Sequence, residues 1–286
     1  MTVLAAWNGR ETRGVSWRMV LFSITWLGAI TLASAARAQT PPPSVPARDT
    51  VPVHRMSVDA TKIQPAQFAY RLTLTRDTVT TAMGDQSLAI SVADYAGTSA
   101  LLFARVGMQG VAAISDSLFV RRDDLRPLHW IASHGVARVA AEFTPDSVYG
   151  ASSSPLGRRN IVLPNRADLL VNSAAVDAVL ASLPLAAAWR DSAEMLLIDS
   201  GGAALTPVNL AIEGEERITV PAGDFDCWIV SLETERASAR LWVTKQGQLV
   251  ARSEQILPEL EGATLTRVLL QTDSPALMPA SARLPQ

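Results

Sequence analysis

PAGDFDCWIVSLET, residues 221–234, sets a proline–glycine turn in front of a strand that is apolar on both faces. Successive strand side chains point to opposite sides. Phe225, Cys227 and Ile229 therefore share one face, and Trp228, Val230 and Leu232 share the other. A strand apolar on both faces has to be covered on both. The same stretch holds the chain's one cysteine. A nucleophilic thiol needs a neighbouring cation or a helix N-terminus to lower its pKa. Asp226 and Trp228 flank Cys227 instead, so it reads as a buried strand residue. Asp224 and Asp226 are two apart and share a strand face at roughly 7 Å, a separation found between glycosidase carboxylates. Asp224 also closes the turn at Pro221–Gly223, where aspartate commonly bonds its own backbone. The turn reading is the stronger one, and a secreted hydrolase using these carboxylates stands as the alternative.

Working outward, the period-two pattern repeats along most of the chain. It marks strands at 68–75, 86–95, 99–106, 111–120, 128–133 and 136–143, and again at 207–220, 225–234, 238–244, 247–256 and 263–270. Gly84, Gly97, Gly135 and Gly247 punctuate them as turns. Eleven strands with short connections predict an antiparallel meander. GASSSPLG (150–157) reads as a loop. In SAAVDAVLASLP (173–184), Val176, Val179, Leu180 and Leu183 form a helical stripe. Ser173 is placed to cap that helix, Asp177 lies in its first turn, and Pro184 ends it. A helix apolar on one side needs a sheet to cover it. The predicted fold is mainly β (α+β): a curved antiparallel sheet, or half-barrel, wrapped around a helix near 173–183.

The N-terminus predicts export. Arg10, Arg13 and Arg18 precede the apolar run MVLFSITWLGAITLASA (19–35), and Ala36-Arg37-Ala38 precedes Gln39. A basic segment, a short apolar segment and an A-x-A site make a secretory signal; the competing reading is an uncleaved anchor. The expected organisation is a signal peptide at 1–38, a proline-rich tether at 39–66, one β half-barrel domain at 67–272 and a loose tail at 273–286. No cysteine stands at the cleavage site to carry a lipid anchor, so the expected location is periplasmic or secreted. The one cysteine cannot form an internal disulfide, which leaves stability to the apolar core.

Formal net charge is −2, and loss of residues 1–38 leaves 21 cations against 26 anions. No basic run beyond Arg121-Arg122 and Arg158-Arg159 follows, so the footprint of a nucleic-acid binder is missing. His54, His129 and His134 do not have metal-ligand spacing, and His129 and His134 fall on opposite strand faces. The chain lacks G-x-S-x-G, S-x-x-K, H-E-x-x-H and the phosphate-binding G-x-x-x-x-G-K-[ST]. No catalytic residue, metal or cofactor is expected.

ITVPAGDFDCWIVSLETERASARLWVTKQGQLVARSEQ (218–255) resembles a family of exported bacterial proteins of unknown function. That family's domain is similar to the lipoprotein-localisation factors, and the resemblance extends over about residues 173–271. It implies a curved sheet over a helix, enclosing an apolar cavity in the transport members, and it supplies no catalytic residue. On that reading Trp228, Val230 and Leu232, joined by Trp242, line a hollow, while the Phe225, Cys227 and Ile229 face packs on the helix. The expected function is non-enzymatic binding of a lipid or other apolar ligand, with peripheral contact to the envelope. The alternatives are the hydrolase and a purely structural or interaction role. N-terminal sequencing of exported protein is expected to start at Gln39, and material still starting near Met1 would overturn the signal reading.

Overall fold

The computed structural model describes residues 56–274, apart from 167, 168, 200, 201, 236, 247 and 248. The expected signal, the tether up to residue 55 with His54, and the tail from residue 275 lie outside the described residues. The strands are β1 (Ala66–Arg76), β2 (Val79–Tyr95), β3 (Thr98–Gln109), β4 (Ala112–Arg121), β5 (Pro127–His134), β6 (Ala137–Phe143), β7 (Ser147–Ser154) and β8 (Gly157–Pro164). There follow β9 (Leu169–Val171), the helix α1 (Val176–Ser182), β10 (Arg190–Asp199), β11 (Gly202–Val220), β12 (Gly223–Glu233), β13 (Ser238–Thr244), β14 (Val250–Leu257) and β15 (Ala263–Thr272). All fifteen strands belong to one sheet in the order β8 to β1, then β15 back to β9. Every neighbour pair is antiparallel except the short β9, which runs parallel to β10. The protein is therefore mainly β, with one α-helix among the described residues and a large curved sheet that does not close.

Register breaks at Ala69/Tyr70, Leu72/Thr73, Phe119/Val120, Ile212/Gly214 and Trp242/Val243 bend the sheet. The bend brings β8 back beside β11, where Arg159 lies 3.9 Å from the position a Cβ would take on Gly202. Residues directly opposite in an antiparallel pair share a face. The register thus traces one face across the strands: Ser253 opposite Arg267, Arg267 opposite Leu72, Tyr70 opposite Gln86, Leu88 opposite Arg105, Arg105 opposite Asp116 and Leu118 opposite Trp130. On this face, buried Phe68, Leu88, Ile90, Phe103, Leu118 and Val120 form an apolar cluster that includes Ala174, Ala175 and Ala178.

The helix is buried nearly all round, which a one-sided stripe did not predict. Asp177, expected only to favour the helix N-terminus, is buried and accepts a hydrogen bond from the Arg267 guanidinium. The helix starts at Val176 rather than Ser173, whose Oγ accepts from the Ala175 amide at 3.2 Å. Before β1, Met56 and Ile63 are buried, and the Asp59 amide donates to the Ser182 carbonyl at 3.0 Å. The stretch 56–63, read from sequence as the end of a free tether, is packed against the C-terminal end of α1.

GASSSPLG is not a loop: Gly150–Ser154 lies in β7, and β8 resumes at Gly157. The strand is poor in β-formers because its inward positions take small residues. A Cβ on Gly150 would sit 2.0 Å from the Ala140 carbonyl oxygen, so only glycine lets β6 and β7 approach there. The run at Leu196–Ile198 in β10 does not alternate, because both its faces are covered: Leu196 and Ile198 pack in one cluster and Met195 and Leu197 in another.

Because Asp177 and Arg267 are buried together, Asp177→Asn strands the Arg267 charge and is expected to cost about 3–5 kcal/mol by denaturant unfolding. The double replacement Asp177→Leu with Arg267→Met should recover most of that loss, and an undiminished loss in the double variant would refute the pairing as its cause.

Candidate functional site

Nearer the turns that join β1–β2, β3–β4, β5–β6 and β7–β8, the apolar face gives way to a polar layer. Arg105 on β3 and Asp116 on β4 are directly opposite, and the guanidinium donates to Asp116 Oδ2 at 2.8 Å. Trp130 Nε1 donates to the other oxygen, Asp116 Oδ1, at 2.8 Å. Burial raises the Asp116 carboxyl above its ordinary value, and Arg105 and the Trp130 hydrogen bond partly offset that rise. Beside them Arg267 pairs with Asp177 and lies over the Tyr70 ring, 4.6 Å from its centroid. Burial pushes the Tyr70 hydroxyl up, and its oxygen has no hydrogen-bond partner.

Above this layer opens a hollow with about 1300 Å³ of empty space, open solvent at its mouth included. Arg105, Asp116, Trp130 and Arg267 form its floor. Ile114, Ala132, Val139 and Leu265 supply apolar wall, with Gln255, Ser152 and His134 between them. Burial, then the charge of Arg105, lowers the His134 pKa, so its ring is neutral at pH 7; Nε2 is buried without a partner. Both oxygens of Asp116 are engaged, which leaves it poorly placed to act as a base. The arrangement holds a ligand with an apolar body and a polar group that meets the floor.

The sequence-predicted residues lie elsewhere. Val230 and Leu232 are fully buried in a cluster with Val176, Leu180 and Leu183, so this face of β12, not the Cys227 face, packs on the helix. Trp242 is opposite Ile229 and therefore on the other face from Trp228, Val230 and Leu232. Its Nε1 donates to Glu216 Oε2 at 2.6 Å, and Arg252 lies 4.7 Å over its ring. Trp228 is half-buried beneath Lys245, 4.2 Å above the ring, and lines a third space together with Leu183 and Leu185. Between helix and sheet there is a separate space of about 1010 Å³, open solvent included, lined by Met56, Leu118, Val120, Val176 and Val179 and by none of the four predicted residues.

Asp224 and Asp226 are exposed at the turn, with Arg217 3.5 Å and 3.8 Å away, and Asp224 Oδ1 accepts from Thr219 at 2.7 Å. Neither lines any of these three spaces. His129 and His134 lie on opposite faces. The His129 ring stacks on Tyr95 at 5.3 Å, and its Nδ1 lies 2.6 Å from Glu142 Oε1. Among the described residues no three His, Cys, Asp or Glu side chains gather into a metal-binding group. Sequence reading missed Arg105, Asp116 and Arg267. The available signal was parity: Asp116 occupies the apolar alternation of Ile114 and Leu118, and Arg105 that of Leu101 and Phe103.

A single curved, unclosed sheet with a hollow on its concave face defines a β-barrel-like protein. The likeness is borne by the solved β-barrel-like DUF1849 protein from Brucella abortus, with a TM-score of 0.53 at 11% identity, covering 76% of this chain and 99% of that one. The chain belongs to the protein family of unknown function DUF3108, whose model matches residues 69–258. Two weaker structural likenesses are an exported protein with a YmcC-like fold from Bacteroides fragilis (TM-score 0.35, 12% identity, 77% of this chain and 100% of that one) and the hypothetical lipoprotein YmcC from Escherichia coli (TM-score 0.31, 10% identity, 71% and 86%). No curated protein matches the sequence.

Cys227 is fully buried, and desolvation, then Asp226 and Glu216, push its thiol up to about 12 from 9.0. A raised folded-state pKa contributes stability that is complete below the unfolded value and is lost as pH climbs toward the folded one. Cys227→Ala is therefore expected to cost about 1 kcal/mol near neutrality and to flatten the decline in stability above pH 9 expected of the parent. Native protein should react slowly with iodoacetamide; rapid stoichiometric labelling would overturn the buried reading.

Proposed function

We propose that this is an exported envelope protein that binds, without chemical conversion, a lipid or other ligand with an apolar body in the concave hollow. The observation that carries the reading is the lining itself. Apolar Ile114, Ala132, Val139 and Leu265 stand above a floor whose charges are already matched, Arg105 to Asp116 and Arg267 to Asp177. A matched floor can accept a polar group through hydrogen bonds without demanding a full countercharge, and the walls favour an apolar chain. The signal-like N-terminus supports delivery to a compartment where such ligands are at hand. In this reading the sheet's concave side, wrapping the helix at one end, leaves the other end open for the ligand.

A fluorescent fatty acid titrated into the protein is expected to bind saturably. Ala132→Trp, which fills the hollow from β5, should weaken that binding by about tenfold or more while changing unfolding little. Trp228→Ala, outside the hollow, should leave it unchanged. Saturable binding that ignores Ala132→Trp, or no saturable binding, would defeat the reading.

A further inference from the structure

The concave hollow is lined at depth by polar groups that the protein itself leaves without partners. Gln86 on β2 and Gln255 on β14 both line it and are only 5% and 4% exposed. Neither side-chain amide has a hydrogen-bond partner within the protein. Arg105 gives one terminal nitrogen to Asp116, while its Nε is buried without a partner, as is Nε2 of His134. Native interiors hold few such groups, because each costs free energy when it is desolvated and unpaired. Several of them on the wall of one hollow call for a ligand that completes them.

Register puts these groups on neighbouring levels. Gln86 is opposite Gly107, Gly107 opposite Ile114, and Ile114 opposite His134, so one row crosses β2 to β5. Arg105 stands in the next row inward, opposite Asp116. Gly107 leaves space for the amide beside it: a Cβ there would come 3.0 Å from Gln86 Cγ and 2.4 Å from the Asp85 carbonyl oxygen. Beyond β1 and β15, Gln255 lies opposite Leu265, and Ser253 lies opposite Arg267 one step inward.

The chemistry of this set selects the head of the ligand. A glutamine amide both donates and accepts, and Nε2 of a neutral histidine takes either role according to its tautomer. Burial and the charge of Arg105 keep the His134 ring neutral at pH 7. A carboxylate only accepts, so it would face the amide oxygens unfavourably. It would also find Arg105 already held by Asp116 and Arg267 by Asp177. The other arginines of the lining, Arg138 and Arg159, are exposed and are not free. Arg138 donates to the Gly135 and Ala137 carbonyls at 2.6 Å and 2.9 Å. A quaternary ammonium neither donates nor accepts. A hydroxyl does both from one atom.

We infer that the hollow selects an amphiphile with a neutral, hydroxyl-rich head, a sugar or a glycerol, over one whose head is charged. Gln86, Gln255, His134 and the Arg105 Nε–H hold the hydroxyls, and Ile114, Ala132 and Val139 take the apolar body. This rests on the reading that the hollow binds a ligand with an apolar body, and adds the head group to it.

The test is calorimetric titration of the full chain with four ligands of one chain length, each below its micelle concentration. Octyl glucoside and monooctanoylglycerol distinguish a sugar from a glycerol head; octanoate and octyltrimethylammonium carry the two charges. At least one neutral ligand should bind about tenfold more tightly than either charged one. Gln86→Leu with Gln255→Leu should remove that difference while changing the octanoate affinity by less than about twofold. The preference of the parent protein is decisive whether or not that variant folds. Equal affinities, or tighter binding of a charged head, would overturn the inference and leave apolar-ligand binding standing. A preference that survives in the folded double variant would overturn the assignment to these amides. If none of the four binds and the fluorescent fatty acid also fails, both readings fall together.

Discussion

The ion pair between Asp177 and Arg267 joins the α-helix to the inner face of the sheet, and the division of the interior depends on it. One partner comes from the first turn of α1 and the other from the middle of β15, ninety residues apart. A buried pair of this kind adds little net stability, because desolvation cancels much of the attraction, yet either charge left alone is costly. Its effect is to exclude alternatives. A helix docked one turn away would bury Arg267 without a carboxylate. The helix is held at one end of the concave side, and the other end stays open.

Arg105 and Asp116 repeat the device within the sheet. They are directly opposite across β3 and β4, with Trp130 completing the carboxylate's hydrogen bonds from β5. Since side chains alternate along a strand, a slip of one residue in any of these strands would carry one charge to the convex face and strand the other inside. The polar layer thus fixes register in a sheet whose bulges would otherwise tolerate slippage. It also makes the hollow's floor and the fold's register one set of residues, so the floor is costly to vary and the walls above it are not.

What the sequence disclosed follows from this. Strands covered on one side alternate, and β1 to β6 and β11 to β15 could be read directly, as could the burial of Cys227. β7 could not: it carries Gly150 and Ser152 inward, where close approach and polarity displace the usual branched side chains. The lining of the hollow was hidden for a different reason. Trp228, Val230 and Leu232 do share a face, but which layer covers that face is decided by where the helix docks, and the helix is placed by Asp177. Trp242 was grouped with them from proximity in sequence, whereas only the pairing of Ile229 with Trp242 reveals that its ring points the other way. Parity within one strand is legible; parity between strands needs the register.

The two rims differ in how their turns are made. At the end away from the hollow, side chains stitch the backbone: Asp94 accepts from the Gly97 amide at 2.9 Å, Asp124 from the Arg126 amide at 3.2 Å, and Thr144 from the Ser147 amide at 3.0 Å. These residue choices are explained by folding alone. At the mouth, tight glycine-bearing turns already set the chain direction, with Gly110 and Gly135 both at positive φ. The side chains of Val111, Val136 and Leu156 are not needed to form those turns, and their exposure keeps them out of the core.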